Sequence, residues 1–385
     1  MIIPNGPLTP PRAPMTLAPG RPRRLVFAGE AIVDVLMRVP GLPPRGGDLL
    51  ATSSQVTVGG GFNVMAAAAR QGLPVLYAGG HGTGPWGDLV RAALAAEGIG
   101  LLRPPDPARD TGFDVALVEP DAERTFVTSL GAESASEPGS WDAVPAGPGD
   151  AVYVSGYGLV PPGSGPALGA WAARLPSESL LFLDPGPLAG QIPAEVLEPV
   201  LARCDWLSCN AREAALLSGA AAPEEAARCL LDRTARADVL VRVGPAGCFL
   251  ATRPPVSHAT RRPAPDAAPA PDAAPAPDAA PAPGAAPGRN APASPASDAA
   301  PAQDAAPGQN APAAPVHIPA PTVHAVDTTG AGDAHAGVFL AALADGLPPA
   351  DAARRANAAA ALAVTRPGPA TSPGRSELDA WLGDR

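Results

Sequence analysis

The sequence predicts an α/β fold with three α/β/α layers, a mostly parallel central sheet and a small lid of β-strands. Short apolar segments alternate with segments of helical periodicity along most of the 385 residues. This alternation is typical of a parallel sheet that is covered by helices on both faces. Two more polar segments, about 38–58 and 112–131, alternate apolar and polar residues and predict exposed lid strands.

The elements follow one another in chain order. "RRLVFAGEAIVDVLM" predicts a strand ending in a glycine turn, and "GGGFNVMAAAARQGLPVLYAGG" predicts a turn, a helix and a strand. "WGDLVRAALAAEGI" predicts a helix, and central strands are predicted in "DAVYVSGYGLV", "SLLFLDPG", "CDWLSCN" and "DVLVRVG". Helices such as "AREAALLSG" and "DAARRANAAAALAVTRPG" complete the pattern. Ligands of such sheets bind beyond the carboxyl ends of the strands.

Composition divides the chain into one folded domain and two other segments. Residues 1–22 are rich in proline and lack an apolar core, which indicates a disordered leader rather than a signal peptide. Residues 263–315 repeat units such as "PAPDAA", and proline at this density blocks helix and sheet hydrogen bonding. We therefore expect a disordered insertion there and one domain formed by 23–262 and 316–385.

The charge balance and residue inventory exclude several functions. The net charge is -10, so a nucleic-acid-binding surface is not expected. Every basic residue is an arginine, which rules out a P-loop lysine and Schiff-base chemistry. No apolar run reaches membrane-spanning length, and the four cysteines and five histidines have no zinc-like spacing. We expect a cytoplasmic protein with reduced, mostly buried thiols.

One glycine motif admits two interpretations. Gly82, Gly84 and Gly87 fit GxGxxG between a strand and a helix, with Asp106 at about the spacing of a dinucleotide site. However, this is not the first strand–helix unit, and Asp106 lies in a proline-rich turn. A tight turn that seats the helix on the sheet explains the motif as well, whereas an oxidoreductase would require NAD(P) binding.

The segment "VDTTGAGDAHAGVF" is the strongest functional signal. Gly330, Ala331 and Gly332 precede a helix, and successive amides at a helix N-terminus form an anion-binding concavity. Asp333 stands at its rim, where bound phosphate would repel an idle carboxylate. A general base for an alcohol that attacks phosphorus explains both features, because phosphoryl transfer needs positioning and charge neutralisation. A helix cap would explain Asp333 alone.

This segment resembles the C-terminal signature of the ribokinase-like (PfkB) carbohydrate kinase family. "GEAIVD", "GGGFNVMAAAARQG", "NAREAALLSG" and "AVTRPGPATS" are similar to other family elements and occur in the family's order. The resemblance covers most of residues 24–382 outside the insertion. It implies a ribokinase-like, Rossmann-like fold and an ATP-dependent sugar kinase that uses Mg²⁺ and, in some members, K⁺.

The resemblance also implies a role for each matching residue. It makes Asp333 the catalytic base and places the anion hole at Gly330, Ala331 and Gly332. Sugar hydroxyls would bind to Asp34, Gly60 and Asn63. Magnesium and its waters would be organised by Asn210 and Glu213, and the nucleotide would lie near Arg242, Gly244, Gly247 and Asn357. The potassium positions would be Asp327, Thr329, Ala363, Arg366, Gly368 and Ser372.

Three departures from the family pattern bear on function. Arg242 replaces a threonine that contacts ATP in many members, so it either contacts phosphate directly or weakens nucleotide binding. Gly156 stands where ribokinase has a sugar-binding glutamate, and Gly84 replaces the aspartate of a Gly-x-Asp-x-x-Gly turn.

We therefore expect phosphorylation of a hydroxymethyl group on a small sugar, as in ribokinase or fructokinase. The alternatives are a nucleoside kinase of the same family and a non-catalytic sugar-sensing protein on the kinase fold. Exposed lid edges also predict a homodimer.

Overall fold

The structure is a computed structural model that describes residues 21–121, 123–135, 139–253 and 314–383. The predicted leader lies outside the described residues except for its last two, and so does the predicted insertion 263–315 except for 314 and 315.

A nine-stranded sheet forms the centre of the described chain, in the order β13-β12-β11-β10-β9-β8-β1-β4-β5. Pairing is parallel from β11 through to β5 and antiparallel at β11–β12 and β12–β13. The strands are β1 (Arg24–Ala28), β4 (Val75–Tyr77), β5 (Gly100–Leu101), β8 (Asp150–Ser155), β9 (Leu180–Asp184), β10 (Trp206–Asn210), β11 (Asp238–Arg242), β12 (Cys248–Ala251) and β13 (Val316–Ile318). The predicted mostly parallel sheet is confirmed.

Helices cover both faces of this sheet, because successive side chains of β1 belong to two different buried clusters. Leu25 and Phe27 belong to one buried cluster with α1 (Phe62–Arg70), α2 (Pro85–Ala96), α7 (Ala331–Asp345) and α8 (Pro349–Ala363). Val26 and Ala28 belong to a second cluster with α3 (Gly165–Ala173), α4 (Ala194–Arg203), α5 (Ala211–Ser218) and α6 (Pro223–Arg233). Helix α9 (Arg375–Gly383) packs on α8. Because side chains alternate along a strand, the two clusters are the two faces of one sheet.

A separate four-stranded sheet, in the order β3-β2-β6-β7, forms the lid. Its strands are β2 (Ala31–Arg38), β3 (Ser53–Gly60), β6 (Phe113–Val118) and β7 (Arg124–Ser129). Strand β2 pairs with β6 in parallel and with β3 in antiparallel orientation.

The lid differs from its sequence prediction in two respects. The prediction treated "RRLVFAGEAIVDVLM" as one strand and a turn, whereas the chain leaves the central sheet at Gly29–Glu30 and continues as β2. An uninterrupted apolar pattern hides this break. Residues 39–52, which the prediction included in the lid, contain no strand.

Helices α1 and α7 pack closely enough to bring their N-termini together. At Gly337 of α7, an added Cβ would lie 2.5 Å from the carbonyl oxygen of Val64 and 2.7 Å from the Cβ of Ala67. The glycine therefore permits a helix contact that a larger residue would prevent. This contact sets the distance between the first turns of the two helices, where the candidate site lies.

Candidate active site

The predicted base lies in the first turn of α7, beside α1. Asn63 Nδ2 donates a hydrogen bond to Asp333 Oδ2 at 3.1 Å. The pKa of Asp333 is raised to about 6: burial is the main cause, Asp184 adds to the rise, and the Asn63 hydrogen bond and the charge of Arg242 oppose it. Asn63 is buried, and its Oδ1 has no hydrogen-bond partner within the described residues. The two predicted residues therefore meet at one point.

The predicted anion hole has a glycine-dependent backbone. Gly330 caps α7 in the left-handed conformation, with φ 74°, which favours glycine. The Ala331 amide donates to Thr328 O at 3.3 Å, and the next amides belong to the first helical turn, where no intrahelical acceptor exists. A Cβ on Gly332 would lie 3.7 Å from the guanidinium of Arg242. A positive charge therefore adjoins the amides.

Arg242 is held at this place by the ends of neighbouring strands. It is the last residue of β11, and its Nη1 donates to Asp184 Oδ2 at 2.9 Å and to Ser208 Oγ at 2.6 Å. Its Nη2 lies 3.8 Å from Glu213 Oε2. Burial favours loss of its proton, but the neighbouring carboxylates outweigh this effect and raise its pKa. The arginine is thus a fixed cation directed towards α7.

The predicted magnesium residues form a helix cap at the start of α5. Asn210 Oδ1 accepts from the Glu213 amide at 2.9 Å, and Glu213 Oε2 accepts from the Asn210 amide at 2.7 Å. This capping box satisfies Glu213 internally, although the carboxylate is buried and its pKa is raised, mainly by burial and by Asp184. No cluster of three or more acidic, cysteine or histidine residues suited to a metal occurs within the described ranges. The carboxylates of Glu213 and Asp184 suit magnesium that keeps its waters.

The lid contributes carboxylates above the site. Asp34 of β2 pairs in register with Asp114 of β6, so both side chains leave the sheet on the same face. Burial raises the pKa of Asp34 to about 7, with further contributions from Asp114 and Asp333. A Cβ on Gly59 would lie 2.0 Å from the Asp34 carboxylate. Glycine in β3 is therefore what leaves room for this side chain, while the predicted Gly60 has φ 59° at the end of the strand.

A further carboxyl group enters from the turn between β1 and β2. Glu30 Oε1 accepts from Ser155 Oγ at 3.1 Å, while Oε2 is buried and has no partner in the described part of the chain. Burial raises the pKa of Glu30 to about 8, although its hydrogen bonds oppose this rise. Gly156 stands beside it, where a Cβ would lie 2.0 Å from the carbonyl oxygen of Pro185. Close backbone approach therefore requires glycine at that position.

The residues predicted to hold potassium surround Asp327. Asp327 Oδ1 accepts from the Thr329 amide at 2.9 Å and from Thr329 Oγ1 at 2.7 Å, and its Oδ2 accepts from the Gly368 amide at 3.1 Å. Arg124 of β7 also donates to Oδ1 at 2.5 Å. Burial would raise the pKa of Asp327, but these donors and the arginine charge lower it. An arginine of the lid thus contacts the carboxylate that was predicted to bind potassium.

The remaining potassium positions lie close to this carboxylate in the closing loop. Ala363 O accepts from Thr371 Oγ1 at 3.0 Å, and Arg366 forms an ion pair with Glu377. Ser372 is buried, and its Oγ lacks a partner among the residues described. One side-chain oxygen of this loop therefore lacks a partner among the described residues, while protein donors already engage the Asp327 carboxylate.

The residues that were predicted to lie near the nucleotide hold neighbouring backbone segments together. Gly244 and Gly247 have φ 60° and 100°, and a Cβ on Gly247 would lie 2.1 Å from the carbonyl oxygen of Ile318. Asn357 is buried, and its Nδ2 donates to Ile318 O at 3.0 Å. These residues fix β12, β13 and α8 to one another, so contact with a nucleotide stays a prediction for them.

The dinucleotide interpretation of Gly82, Gly84 and Gly87 loses its basis. Asp110 occupies the N-terminus of α2: its Oδ2 accepts from the Trp86 amide at 3.0 Å and its Oδ1 from the Gly87 amide at 2.8 Å. A pyrophosphate would have to displace this carboxylate. The turn seats the helix, and an aspartate from another segment fills the position that Gly84 leaves without a side chain.

Several other expectations can be compared with the structure. Cys204, Cys209 and Cys248 are buried, and all four cysteines are free. His335 is buried and stacks on Phe339. Burial lowers its pKa to about 3. Within the ranges described, no helix is long and apolar enough to cross a membrane.

Sequence reasoning missed several residues that the structure places at the site. They are Glu30, Asp114, Arg124 and Asp184. Asp184 ends the predicted strand "SLLFLDPG", and its position at a carboxyl end was a usable signal. Glu30 directly follows the glycine of the first turn. Asp114 and Arg124 lie in the predicted lid segment, but only the register of the lid reveals that they face the loop 327–332 at the start of α7, which we call the catalytic loop.

The fold and this arrangement define a phosphotransferase with an alcohol acceptor, and sequence comparison gives its family. The family model described as pfkB family carbohydrate kinase matches residues 22–268 and 312–375. The chain therefore belongs to the PfkB family of carbohydrate kinases. The stretch without a match falls within the predicted insertion. An uncharacterized sugar kinase of Escherichia coli K12, YegV, is 30% identical over 359 residues, 92% of each chain.

Solved structures show the same fold. The ribokinase of Thermotoga maritima superposes with a TM-score of 0.67 at 22% identity, over 94% of this chain and 99% of that one. The ribokinase of Arabidopsis thaliana in complex with ribose and ATP gives 0.64 at 20% identity, over 94% and 99%. The aminoimidazole riboside kinase of Salmonella enterica, in complex with its riboside and an ATP analog, gives 0.64 at 21%, over 93% and 99%. By family and fold, the protein is a sugar or nucleoside kinase.

Proposed function

We propose that the protein transfers the γ-phosphoryl group of ATP to a hydroxymethyl group of a small sugar, with Asp333 as general base. One observation carries the proposal: a carboxylate with a pKa of about 6 stands at the first turn of α7, next to first-turn amides and a fixed cation. Such a group is ionised at neutral pH and basic enough to accept a proton from an attacking hydroxyl. The ribokinase of Arabidopsis with bound ribose and ATP supports the choice of substrates.

Three groups act in phosphoryl transfer: Asp333, the amides at 330–332 with Arg242, and Asn63. Asp333 orients the acceptor hydroxyl and takes its proton as the oxygen attacks phosphorus. The amides at 330–332 and the guanidinium of Arg242 lie where negative charge gathers on the transferred group, and fixed donors stabilise such charge without reorganising. Asn63 holds the carboxylate by the bond at 3.1 Å, which limits its rotation.

The residues at the ends of β9 and β10 suit a magnesium ion on the nucleotide phosphates. Glu213 and Asp184 are buried carboxylates that Arg242 and backbone amides already contact, so they would hold the ion through its waters. Magnesium would neutralise phosphate charge. Arg242 supplies further positive charge from the protein itself, and this favours the interpretation that it contacts phosphate rather than weakening nucleotide binding.

A sugar suits the lid better than a nucleoside does. The face of the lid towards the catalytic loop carries Asp34 and Asp114, whose carboxylates suit hydroxyl groups, and the exposed Phe126 of β7 lies on the same face. A nucleoside kinase stays the alternative, because the same base and anion hole would serve a ribose 5'-hydroxyl. A homodimer through the lid also stays a prediction, which the exposed Phe126 and Val127 of β7 support.

The replacement Asp333→Asn tests the proposal. Loss of the base removes about 10²- to 10⁴-fold of turnover, whereas ATP binding measured by calorimetry stays close to wild type. Asp351→Asn, on the exposed side of α8, is the matched control. Acceptors come from a screen of sugars and nucleosides for ADP production. Near-normal turnover in Asp333→Asn would refute the mechanism.

A further inference from the structure

The lid contains two neighbouring carboxylates, Asp34 and Asp114, and the family resemblance implies a role only for Asp34. Asp34 and Asp114 are direct neighbours on adjacent parallel strands, Val33 to Arg38 pairing with Phe113 to Val118. Neighbours in register on one face have Cβ atoms about 5 Å apart. Two like charges at this distance repel each other, and burial increases the cost. A structural role alone does not explain why both are acidic.

The unsatisfied atom of this pair points to a ligand. Asp114 is 7% exposed, and its Oδ1 is buried without a hydrogen-bond partner in the part of the chain described. A buried polar atom that lacks a partner costs about 1–3 kcal/mol in a folded protein. A bound molecule with donors would satisfy the atom. Sugar hydroxyls supply such donors.

The register of the lid also shows which way the pair faces. Asp114, Ala116 and Val118 alternate on one face of β6, and Val118 pairs with Arg124 of β7. Arg124 shares this face and contacts Asp327, in the loop that leads to α7. The Asp114 carboxylate is therefore on the side of the lid that faces the catalytic loop.

The charges around Asp34 limit which molecules can bind beside it. The charges that act on Asp34 are those of Asp114 and Asp333, and both are negative. Glu30 contributes another acidic group nearby and interacts with Asp333. Two cations lie nearby: Arg242 is on the Gly332 side of Asp333, and Arg124 of the lid is already paired with Asp327. An acceptor with its own negative charge would be repelled on the lid side, whereas a neutral molecule with several hydroxyls would not.

We propose that Asp114 is a specificity-determining residue, which acts with Asp34 to bind two hydroxyl groups of an uncharged polyol and to reject acceptors that carry a carboxylate. The inference rests on the proposed function, since it assigns the acceptor class of the same site. It assigns no role in proton transfer to Asp114. The pair can donate as well as accept hydrogen bonds when it retains a proton, which suits hydroxyls in either orientation.

The test compares matched neutral and acidic acceptors on variants of Asp114. D-Ribose and D-ribonate form the pair, with D-fructose and D-gluconate as a second one. Asp114→Ala is expected to raise the acceptor KM about 10- to 100-fold, as expected for a lost hydrogen bond to a charged group, with kcat and the ATP KM nearly unchanged. Asp114→Asn, which keeps the shape, is expected to reduce the preference for neutral over acidic acceptors about tenfold. Asp121→Asn, at the exposed β6–β7 turn, is the control.

Three results would overturn the inference. The first is an unchanged acceptor KM in both Asp114 variants. The second is a parallel rise in the ATP KM with a lower melting temperature, which would indicate a structural role. The third is a wild-type preference for ribonate or gluconate, which would leave the kinase activity standing. If the wild type forms no ADP with any acceptor, the proposed function fails. In that case, thermal-shift titration of ribose and ribonate into wild type and Asp114→Ala tests whether Asp114 binds the neutral acceptor and rejects the acidic one.

Discussion

The contact between Arg124 and Asp327 yields a quantitative prediction, because it joins the lid to the loop before α7. The side chains of Arg124 and Asp327 are 19% and 7% exposed, and Arg124 Nη2 lies 2.5 Å from Asp327 Oδ1. A hydrogen bond to a charged group contributes about 1.5–3 kcal/mol. If this energy serves to position the loop during transfer, Arg124→Gln lowers kcat about 10- to 150-fold, since about 1.4 kcal/mol corresponds to a factor of ten.

Potassium distinguishes this role from a purely structural one. Asp327 keeps the donors Thr329 and Gly368 in the variant but loses its cationic partner. The Asp327 carboxylate, without its cationic partner, then suits a monovalent cation. We expect wild-type kcat in sodium and in potassium to agree within about threefold, less than 1 kcal/mol, whereas potassium restores part of the loss in Arg124→Gln.

The assay is steady-state ADP release in sodium or potassium buffer, with a melting curve for each variant. Arg38→Gln, exposed at the end of β2 in the same sheet, is the control. A variant with wild-type kcat and a reduced melting temperature would mean that the ion pair only stabilises the lid. An equal potassium requirement in both proteins would mean that Arg124 does not take the place of an ion.

The titration of the site leads to three more predictions. Because Asp333 must be ionised, kcat measured against pH should fall about tenfold per pH unit below its pKa of about 6. Arg242→Gln should move this limb to higher pH, since the arginine charge lowers the pKa of Asp333, and should also reduce kcat; an unmoved limb would contradict the electrostatic contact. Glu30 has a folded pKa of about 8, above its unfolded value, so its contribution to stability is present at acidic pH and is lost as pH rises towards 8. Glu30→Gln should therefore raise the melting temperature relative to wild type more at pH 8 than at pH 5, and an equal difference at both would refute this.

A feature of the site could be predicted from the sequence when the residues that form it lie close together along the chain. The turn at Gly330 and the position of Asp333 at a helix start were predictable, because a glycine turn, a helix start and an acid lie within a few consecutive residues. The family resemblance named Asn63 as a sugar-binding residue, but its hydrogen bond to Asp333 depends on how α1 packs on α7 and could not be predicted. Six strands of the central sheet were predicted from their apolar runs and are confirmed, whereas β5, β12 and β13 were not predicted.

Residues that depend on strand register could not be predicted. Asp114 becomes significant only because it pairs with Asp34, and Arg124 only because β7 places it opposite Asp327. Asp110 fills the N-terminus of α2 from a loop more than twenty residues away along the chain. The break at Gly29 was hidden for a similar reason, since β1 and β2 are both apolar while they belong to different sheets.

The start of α7 has a consequence for how its role could be detected. An alanine scan replaces side chains, yet Ala331 is already alanine, and Gly332→Ala adds a methyl group at ordinary contact distance from Arg242. Such a scan would identify Asp333 and overlook the groups proposed to bind the phosphate. Replacing single amides of this turn by esters removes a donor and leaves every side chain in place. Backbone chemistry, and not side-chain mutagenesis, is the direct probe of this part of the enzyme.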